Sequence, residues 1–256
     1  MTIETMRWHE AVNVHYDQDF RRQGLVALVR NDVIGPRVLD MRCITGSLAV
    51  ELAAAGMEVM ALDGYEGAVH RTNELARTRG VRTPLAQLWD LTGLVDRVGE
   101  RRFETVLCLD VLNHVKDDHK TVAEISRVLV EHGRLILVVP AFPALLGKRD
   151  RSLGHLRRYT KSGLRYLLER HGLTVQSLRY WNFTALPLFA LIERGLRARL
   201  SDQFRYGWWG LFGSLPNRLL GWWYRVVENH LRFPCGLSLV AIAHKEHGSP
   251  SVRKPR

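Results

Sequence analysis

Only three cysteines occur in 256 residues, Cys43, Cys108 and Cys235, and they stand far apart. No C-x-x-C or H-E-x-x-H pattern is present. The sequence therefore argues against a disulfide scaffold or a metal centre and predicts free thiols in a reducing compartment. No run of 18 apolar residues occurs, which excludes an ordinary membrane-spanning helix. The segment from Met1 to Glu10 carries Glu4, Arg7 and Glu10 and lacks an apolar core, so it is not expected to be a secretory leader. The expected location is cytoplasmic, or peripheral to a membrane if the surface described below allows it. Acids are scarce in one half of the chain. Residues 141–256 hold 20 Lys and Arg against 6 Asp and Glu, whereas residues 1–140 hold 17 against 20. The formal charge of +11 thus comes from the carboxyl-terminal half. Such a half suits an anionic partner (phosphate, carboxylate, lipid headgroup or nucleic acid), or it is a solvated arginine-rich face.

What is present begins with Val38-Leu39-Asp40-Met41-Arg42-Cys43-Ile44-Thr45-Gly46-Ser47. It reads as a buried strand entering a tight turn and then a helix, Leu48 to Ala55, closed by Gly56. A second apolar strand ends in an acid at Val59-Met60-Ala61-Leu62-Asp63. Strand, turn, helix, strand and acid form the nucleotide-binding half of a doubly wound sheet, in which ligands sit over the carboxyl ends of the strands. Further strands are expected at Thr83–Leu88, Phe103–Asp110, Arg134–Pro140, Leu173–Trp181 and Cys235–His244. Helices are expected at Ala68–Thr78, Asp117–Val130 (closed by His132-Gly133) and Lys161–His171, the last capped by Thr160.

The turn with Cys43, Thr45 and Gly46 after Val-Leu-Asp, followed by Asp63, resembles the class I S-adenosylmethionine-dependent methyltransferases of the bacterial small-molecule type. So does Asp110-Val111-Leu112-Asn113-His114-Val115, although Asn113 stands where that family has an acid. The resemblance implies an α/β fold: a doubly wound, mostly parallel seven-stranded Rossmann-like sheet with a helical insertion before the last strand. It implies S-adenosylmethionine as cofactor, S-adenosylhomocysteine as product, and a small-molecule acceptor. The family turn is Asp-x-Gly-x-Gly-x-Gly; here Arg42 and Ile44 replace the first two glycines and only Gly46 remains. Glycine matters there because the backbone takes φ > 0 and approaches the ligand without a Cβ between them. Arg42 could pair with the cofactor carboxylate, fold onto an acid or block the site, and Ile44 disfavours φ > 0.

On this resemblance the cofactor residues are Asp40, Arg42, Cys43, Thr45, Gly46, Asp63, Gly64, Trp89, Asp90, Leu91 and Asp110. Asp63 suits a ribose diol or, alternatively, a helix cap. Asp90 reaches for the adenine amino group, and Trp89 stacks on the ring or buries itself. His114 and His155 are the proton-accepting candidates; His114 could instead orient a loop. Tyr16, on a helix face with Trp8, Val12 and Phe20, is a candidate to close over the ligand or to pack on the sheet. The segment Gly154-His155-Leu156-Arg157-Arg158-Tyr159-Thr160 resembles a bacterial subgroup of the family. Arg157, Arg158 and Tyr159 then read either as substrate contacts for a carboxylate or phosphate, or as a structural pair holding a lid.

The expected organisation is an amino-terminal helical cap at 1–35, an α/β core at 36–182 plus 235–246, a Trp- and Arg-rich insertion at 183–234 with helices at Pro187–Leu200 and Pro216–Leu231, and a disordered tail at 247–256. The insertion is a lid over a hydrophobic substrate, a face for an anionic membrane, or a plain helical cap. The leading function is methyl transfer to a small hydrophobic or acidic acceptor. The alternative is a methyltransferase fold that has lost methyl transfer and serves as a cyclase, isomerase-type catalyst or non-catalytic partner. Nucleic acid ranks last as a partner, because no recognised binding module is present.

Overall fold

The computed structural model describes residues 20–187 and 214–246. Tyr16, most of the expected helix Pro187–Leu200 and the tail 247–256 lie outside these residues. Seven strands form one sheet in the order β3-β2-β1-β4-β5-β7-β6. They are β1 Arg37–Asp40, β2 Glu58–Asp63, β3 Ala86–Leu88, β4 Phe103–Leu109, β5 Leu129–Pro140, β6 Leu173–Trp181 and β7 Ser238–Lys245. The first five run parallel, and β7 pairs antiparallel with both β5 and β6. The expected sheet is the observed one.

The middle strands are apolar without alternation because both faces of the sheet are covered. Leu39, Val106, Cys108, Leu135 and Leu137 pack on one face with Val122 and Ile125 of helix Asp118–Val128. Val38, Leu107, Leu109, Ile136 and Val138 pack on the other with Leu48 and Leu52 of helix Ser47–Ala54, and with Leu25 and Val29 of helix Phe20–Arg30. Asp117 caps its helix by accepting from the Lys120 N–H, and Thr160 caps helix Lys161–Arg170 by accepting from the Gly163 N–H.

Several boundaries differ from the sequence expectation. Helix Asp118–Val128 ends two residues early, and β5 begins at Leu129 rather than Arg134. Leu129 pairs with Phe103 and Arg134 with Thr105, so residues 130–133 bulge, with His132 at φ 59°. A run of β-branched and aliphatic residues fits both helix and strand, and pairing with β4 decides. The stretch Ala141 to Arg151, expected as a loop, contains a short helix at Lys148–Ser152, and β3 keeps only Ala86–Leu88. The expected helix Pro216–Leu231 is an α-helix over Ser214–Trp223 that widens into a π-turn over Tyr224–Glu228.

Among the described residues, six other than glycine have positive φ: Ile44, Leu91, Asp110, His132, Phe142 and Asn182. All but His132 lie just beyond the carboxyl ends of β1, β3, β4, β5 and β6. Left-handed backbone at such residues costs about 1–3 kcal/mol each and gathers at ligand sites. The strain marks one edge of the sheet.

Candidate active site

Strand order reverses between β1 and β4, and the rebuilt turn lies at that crossing. Residues 43–46 form a hydrogen-bonded turn in which the Gly46 N–H donates to the Cys43 carbonyl at 2.8 Å. Gly46 has φ 76°, and a Cβ there would lie 2.4 Å from Thr72 Oγ1. Ile44 takes φ 57° despite its β-branch. The backbone thus keeps a left-handed step without glycine, and Asp63 explains how. Asp63 is buried; its Oδ2 accepts the Ile44 N–H at 2.9 Å and its Oδ1 accepts the Tyr65 N–H at 3.0 Å. This acid therefore ties the β1 turn to the end of β2. It does not cap the following helix in the ordinary way, since the residue at that position is Tyr65.

Arg42 reaches across the crossing. Its Nη1 donates to the Asp110 carbonyl at 2.9 Å and lies 2.9 Å from His114 Nε2. A guanidinium can only donate, so His114 Nε2 is the acceptor and carries the lone pair. Arg42 forms no ion pair with an acid among the described residues. Asp40 is buried at the base of the turn, and its Oδ1 accepts the Arg42 N–H at 3.3 Å. Burial, with Asp63 and Asp40 alongside, pushes the Cys43 thiol well above its usual range, and burial does the same to Cys108. Neither thiol is a nucleophile at neutral pH.

Beyond the carboxyl ends of β2 and β3 lies an open cleft of about 600 Å³ lined by Gly64, Leu88, Trp89, Asp90, Thr92 and Gly93, among others. Trp89 is buried and donates Nε1–H to the Thr92 carbonyl at 2.7 Å. Asp90 is exposed, and its Oδ1 accepts from both the hydroxyl and the N–H of Thr92; these bonds hold its carboxyl below the usual range. Leu91, at φ 67°, turns the chain at the end of the cleft. Thr45 is buried, its hydroxyl 3.3 Å from that of Ser47.

His114 packs edge-to-face against His155, with ring centroids 4.8 Å apart. The Asn113 carbonyl accepts the Leu156 N–H at 2.7 Å, joining the segment after β4 to the His155 loop. Asn113 is fully buried, yet neither side-chain amide atom has a partner among the described residues. Such a group costs about 1–3 kcal/mol.

The three residues expected to read a substrate anion are engaged within the protein. Arg157 pairs with Asp118 at 2.7 Å and donates to the Lys116 carbonyl. Arg158 is buried, pairs with Asp150 through Nη2 and Nε at 2.9 Å each, and donates to the Ala141 carbonyl. The Tyr159 hydroxyl shares its one proton between two acceptors, Asp118 Oδ2 at 2.9 Å and the Leu112 carbonyl at 3.1 Å. Burial and the neighbouring Asp118 push that phenol far up. Together these bonds form a clamp within the protein. Its acids, Asp118 and Asp150, were missed in the sequence. The one available signal was Asp150 itself, a lone acid among Lys148, Arg149 and Arg151.

Residues 39–137 match the family model described as a methyltransferase domain. The ubiquinone biosynthesis O-methyltransferase of Xanthomonas oryzae pv. oryzae is 30% identical over 110 residues, which is 42% of this chain and 44% of that relative. The chain thus spans less than half the length of that curated relative. Among solved structures, the N-methyltransferase NodS of Bradyrhizobium japonicum bound to S-adenosyl-L-homocysteine superposes with a TM-score of 0.55 at 13% identity, covering 94% of this chain and 98% of its own. The [4+2]-cyclase SpnF superposes with a TM-score of 0.55 at 18% identity, covering 90% and 81%. At such identities the structures speak for the fold alone. Over residues 39–137 the chain is thus similar to methyltransferase domains, and its strand order agrees with that likeness.

Proposed function

We propose that this protein transfers a methyl group from S-adenosylmethionine to a small acceptor and releases S-adenosylhomocysteine. The observation that carries the reading is that the Gly46 turn and the Arg42–His114 pair at the β1–β4 crossing share the carboxyl edge of the sheet with the Leu88–Asp90 cleft after β3. The residues fit the cofactor at both ends. At the adenosine end, Leu88 is 54% exposed and offers an apolar face, Gly64 presents no Cβ, and Asp90 keeps an acceptor oxygen for an exocyclic amine. Each Asp63 oxygen has a second lone pair for a ribose hydroxyl. At the methionine end, Arg42 is a cation with no acid partner among the described residues, suited to a carboxylate.

When bound, the cofactor supplies an electrophilic methyl on a positively charged sulfur. The chain's part is to hold the acceptor nucleophile in line and to exclude water. His114 or His155 takes the proton where the nucleophile must lose one. The acceptor is read as hydrophobic, acidic or both. The basic composition of residues 141–256 favours an anion, and Phe142, stacked on Tyr180 at 5.2 Å just beyond β5, favours an apolar body.

A second reading keeps the fold without methyl transfer, as in a cyclase or a non-catalytic partner. Arg42 and Ile44 in place of glycine favour it. Calorimetric titration with S-adenosylmethionine and S-adenosylhomocysteine separates the two. Micromolar binding is expected. Absence of binding at millimolar ligand, restored by Arg42→Gly with Ile44→Gly, would establish the second reading instead.

The segment 183–234 is further read as a contact for an anionic membrane. Among its described residues Leu219, Trp222 and Val226 recur at helical spacing and are 67%, 51% and 47% exposed, with exposed Arg225 beside them. No helix among the described residues is long and apolar enough to cross a membrane. The chain is expected to sediment with vesicles containing phosphatidylglycerol and not with pure phosphatidylcholine, and Trp222→Ala should weaken this several-fold. Equal recovery with both vesicles would remove the contact.

A further inference from the structure

Resting on the methyltransferase reading, we propose that Asp150 is a positioning residue that fixes the His155 imidazole as a proton acceptor of the transfer site. Asp150 lies in the short helix Lys148–Ser152, and its side chain is almost fully buried. Four donors converge on its carboxylate. Oδ1 takes His155 Nδ1 at 3.0 Å and Arg158 Nη2 at 2.9 Å; Oδ2 takes Arg158 Nε at 2.9 Å and the Gly147 N–H at 3.0 Å. Burial opposes the charge, but the bonds from His155, Arg158 and Gly147 outweigh it and hold the carboxyl at about 2.

An ionised carboxylate only accepts, so the proton between Asp150 and His155 belongs to Nδ1. In neutral His155 the lone pair is therefore on Nε2, the atom directed away from the acid. The His155 N–H also donates to the Asp150 carbonyl at 2.8 Å, which anchors the backbone as well as the ring. The edge-to-face contact with His114 then sets this oriented imidazole beside the one that accepts from Arg42 at the sheet crossing. A carboxylate behind an imidazole, itself held by a bidentate arginine, is the arrangement that fixes tautomer and direction in proton-transfer sites. As a loop clamp, Asp150 would need only Arg158 and Gly147. The bond to His155 adds nothing to that clamp but determines which imidazole nitrogen carries the lone pair.

The test uses the reactivity of His155, because it needs no acceptor substrate. Diethylpyrocarbonate acylates an imidazole nitrogen that bears a lone pair, and mass spectrometry of the His155 peptide reads the rate. Asp150→Asn presents an N–H to Nδ1, draws the imidazole proton to Nε2 and is expected to slow acylation about tenfold or more, the scale of a misplaced base. Saturating S-adenosylhomocysteine is expected to slow it in the wild type, as it should if His155 faces the transfer site; a residue serving only the loop would show no such protection. Long-range 1H–15N correlations of labelled wild-type protein, with His155 assigned by comparison with His155→Gln, should show the Nδ1–H tautomer. That measurement stands even if Asp150→Asn does not fold. An Nε2–H tautomer in the wild type, an unchanged rate in folded Asp150→Asn, or no protection by bound S-adenosylhomocysteine would each overturn the proposal. Failure of the wild type to bind S-adenosylhomocysteine by calorimetry sinks the methyltransferase reading instead, and the two failures are thereby told apart.

Discussion

Asp63→Ala is expected to remove S-adenosylhomocysteine binding and to destabilise the fold by about 3 kcal/mol, since hydrogen bonds to a charged group contribute about 1.5–3 kcal/mol each. The carboxylate is buried and receives the N–H groups of Ile44 and Tyr65. Alanine leaves both donors unpaired. The larger consequence is local. Ile44 is β-branched and sits at φ 57°, a conformation it does not hold by preference. The bond from its N–H to Asp63 holds that step in place. Once released, the turn relaxes towards negative φ and carries Arg42 and Gly46 with it. Affinity should fall about a hundredfold or more, equivalent to about 2.7 kcal/mol. Asp63→Asn retains one acceptor and should retain part of both effects. Calorimetry gives the affinity and urea unfolding the stability; near-wild-type binding by folded Asp63→Ala would show that the turn is held by something else.

Arg158→Ala is expected to cost more in stability, about 3–5 kcal/mol, the usual result of removing one partner from a buried ion pair. Asp150 would keep His155 and Gly147 but lose two of its charged bonds and remain buried. The pH dependence has a definite sign. The folded-state carboxyl is held at about 2, below its ordinary value near 3.9, so the unfolded chain binds the proton first on acidification. The stabilisation is complete above about pH 4 and is lost as pH falls through about 2. The difference between wild type and Arg158→Ala should therefore be full at neutral pH and shrink across that window. Urea midpoints at pH 7 and pH 2.5 read it directly. Equal midpoints at pH 7 would mean that the pair contributes nothing net.

These two arginine–acid and acid–backbone systems mark the limit of what the sequence reveals. Arg157, Arg158 and Tyr159 have the chemistry of an anion-reading cluster, and residue type alone allowed a substrate contact. Asp118 lies 39 residues before Arg157, and nothing local announces that the fold brings them to 2.7 Å. Asp150 is closer, eight residues before Arg158, but its charge is hidden in a basic run. Trp89 next to Asp90 fits stacking and burial equally well in the sequence, and its hydrogen bond to the Thr92 carbonyl is visible only in the fold. The early start of β5 follows the same rule: Val128, Leu129 and Val130 suit helix and strand alike until Phe103 is placed beside them.

By itself the sequence determined the sheet, its parallel core and the helix capped by Thr160. Those features follow from short-range physics: apolar runs that must be covered on both sides and a side-chain cap three residues from its donor. The tertiary structure alone decided what the altered turn became. Whether Arg42 blocks, pairs or bridges depends on the Asp110 carbonyl and His114, 68 and 72 residues away. Whether Ile44 can hold a left-handed step depends on Asp63 at the end of the neighbouring strand β2. Such outcomes are sums of contacts between strands that become neighbours only on folding, and no local pattern encodes them.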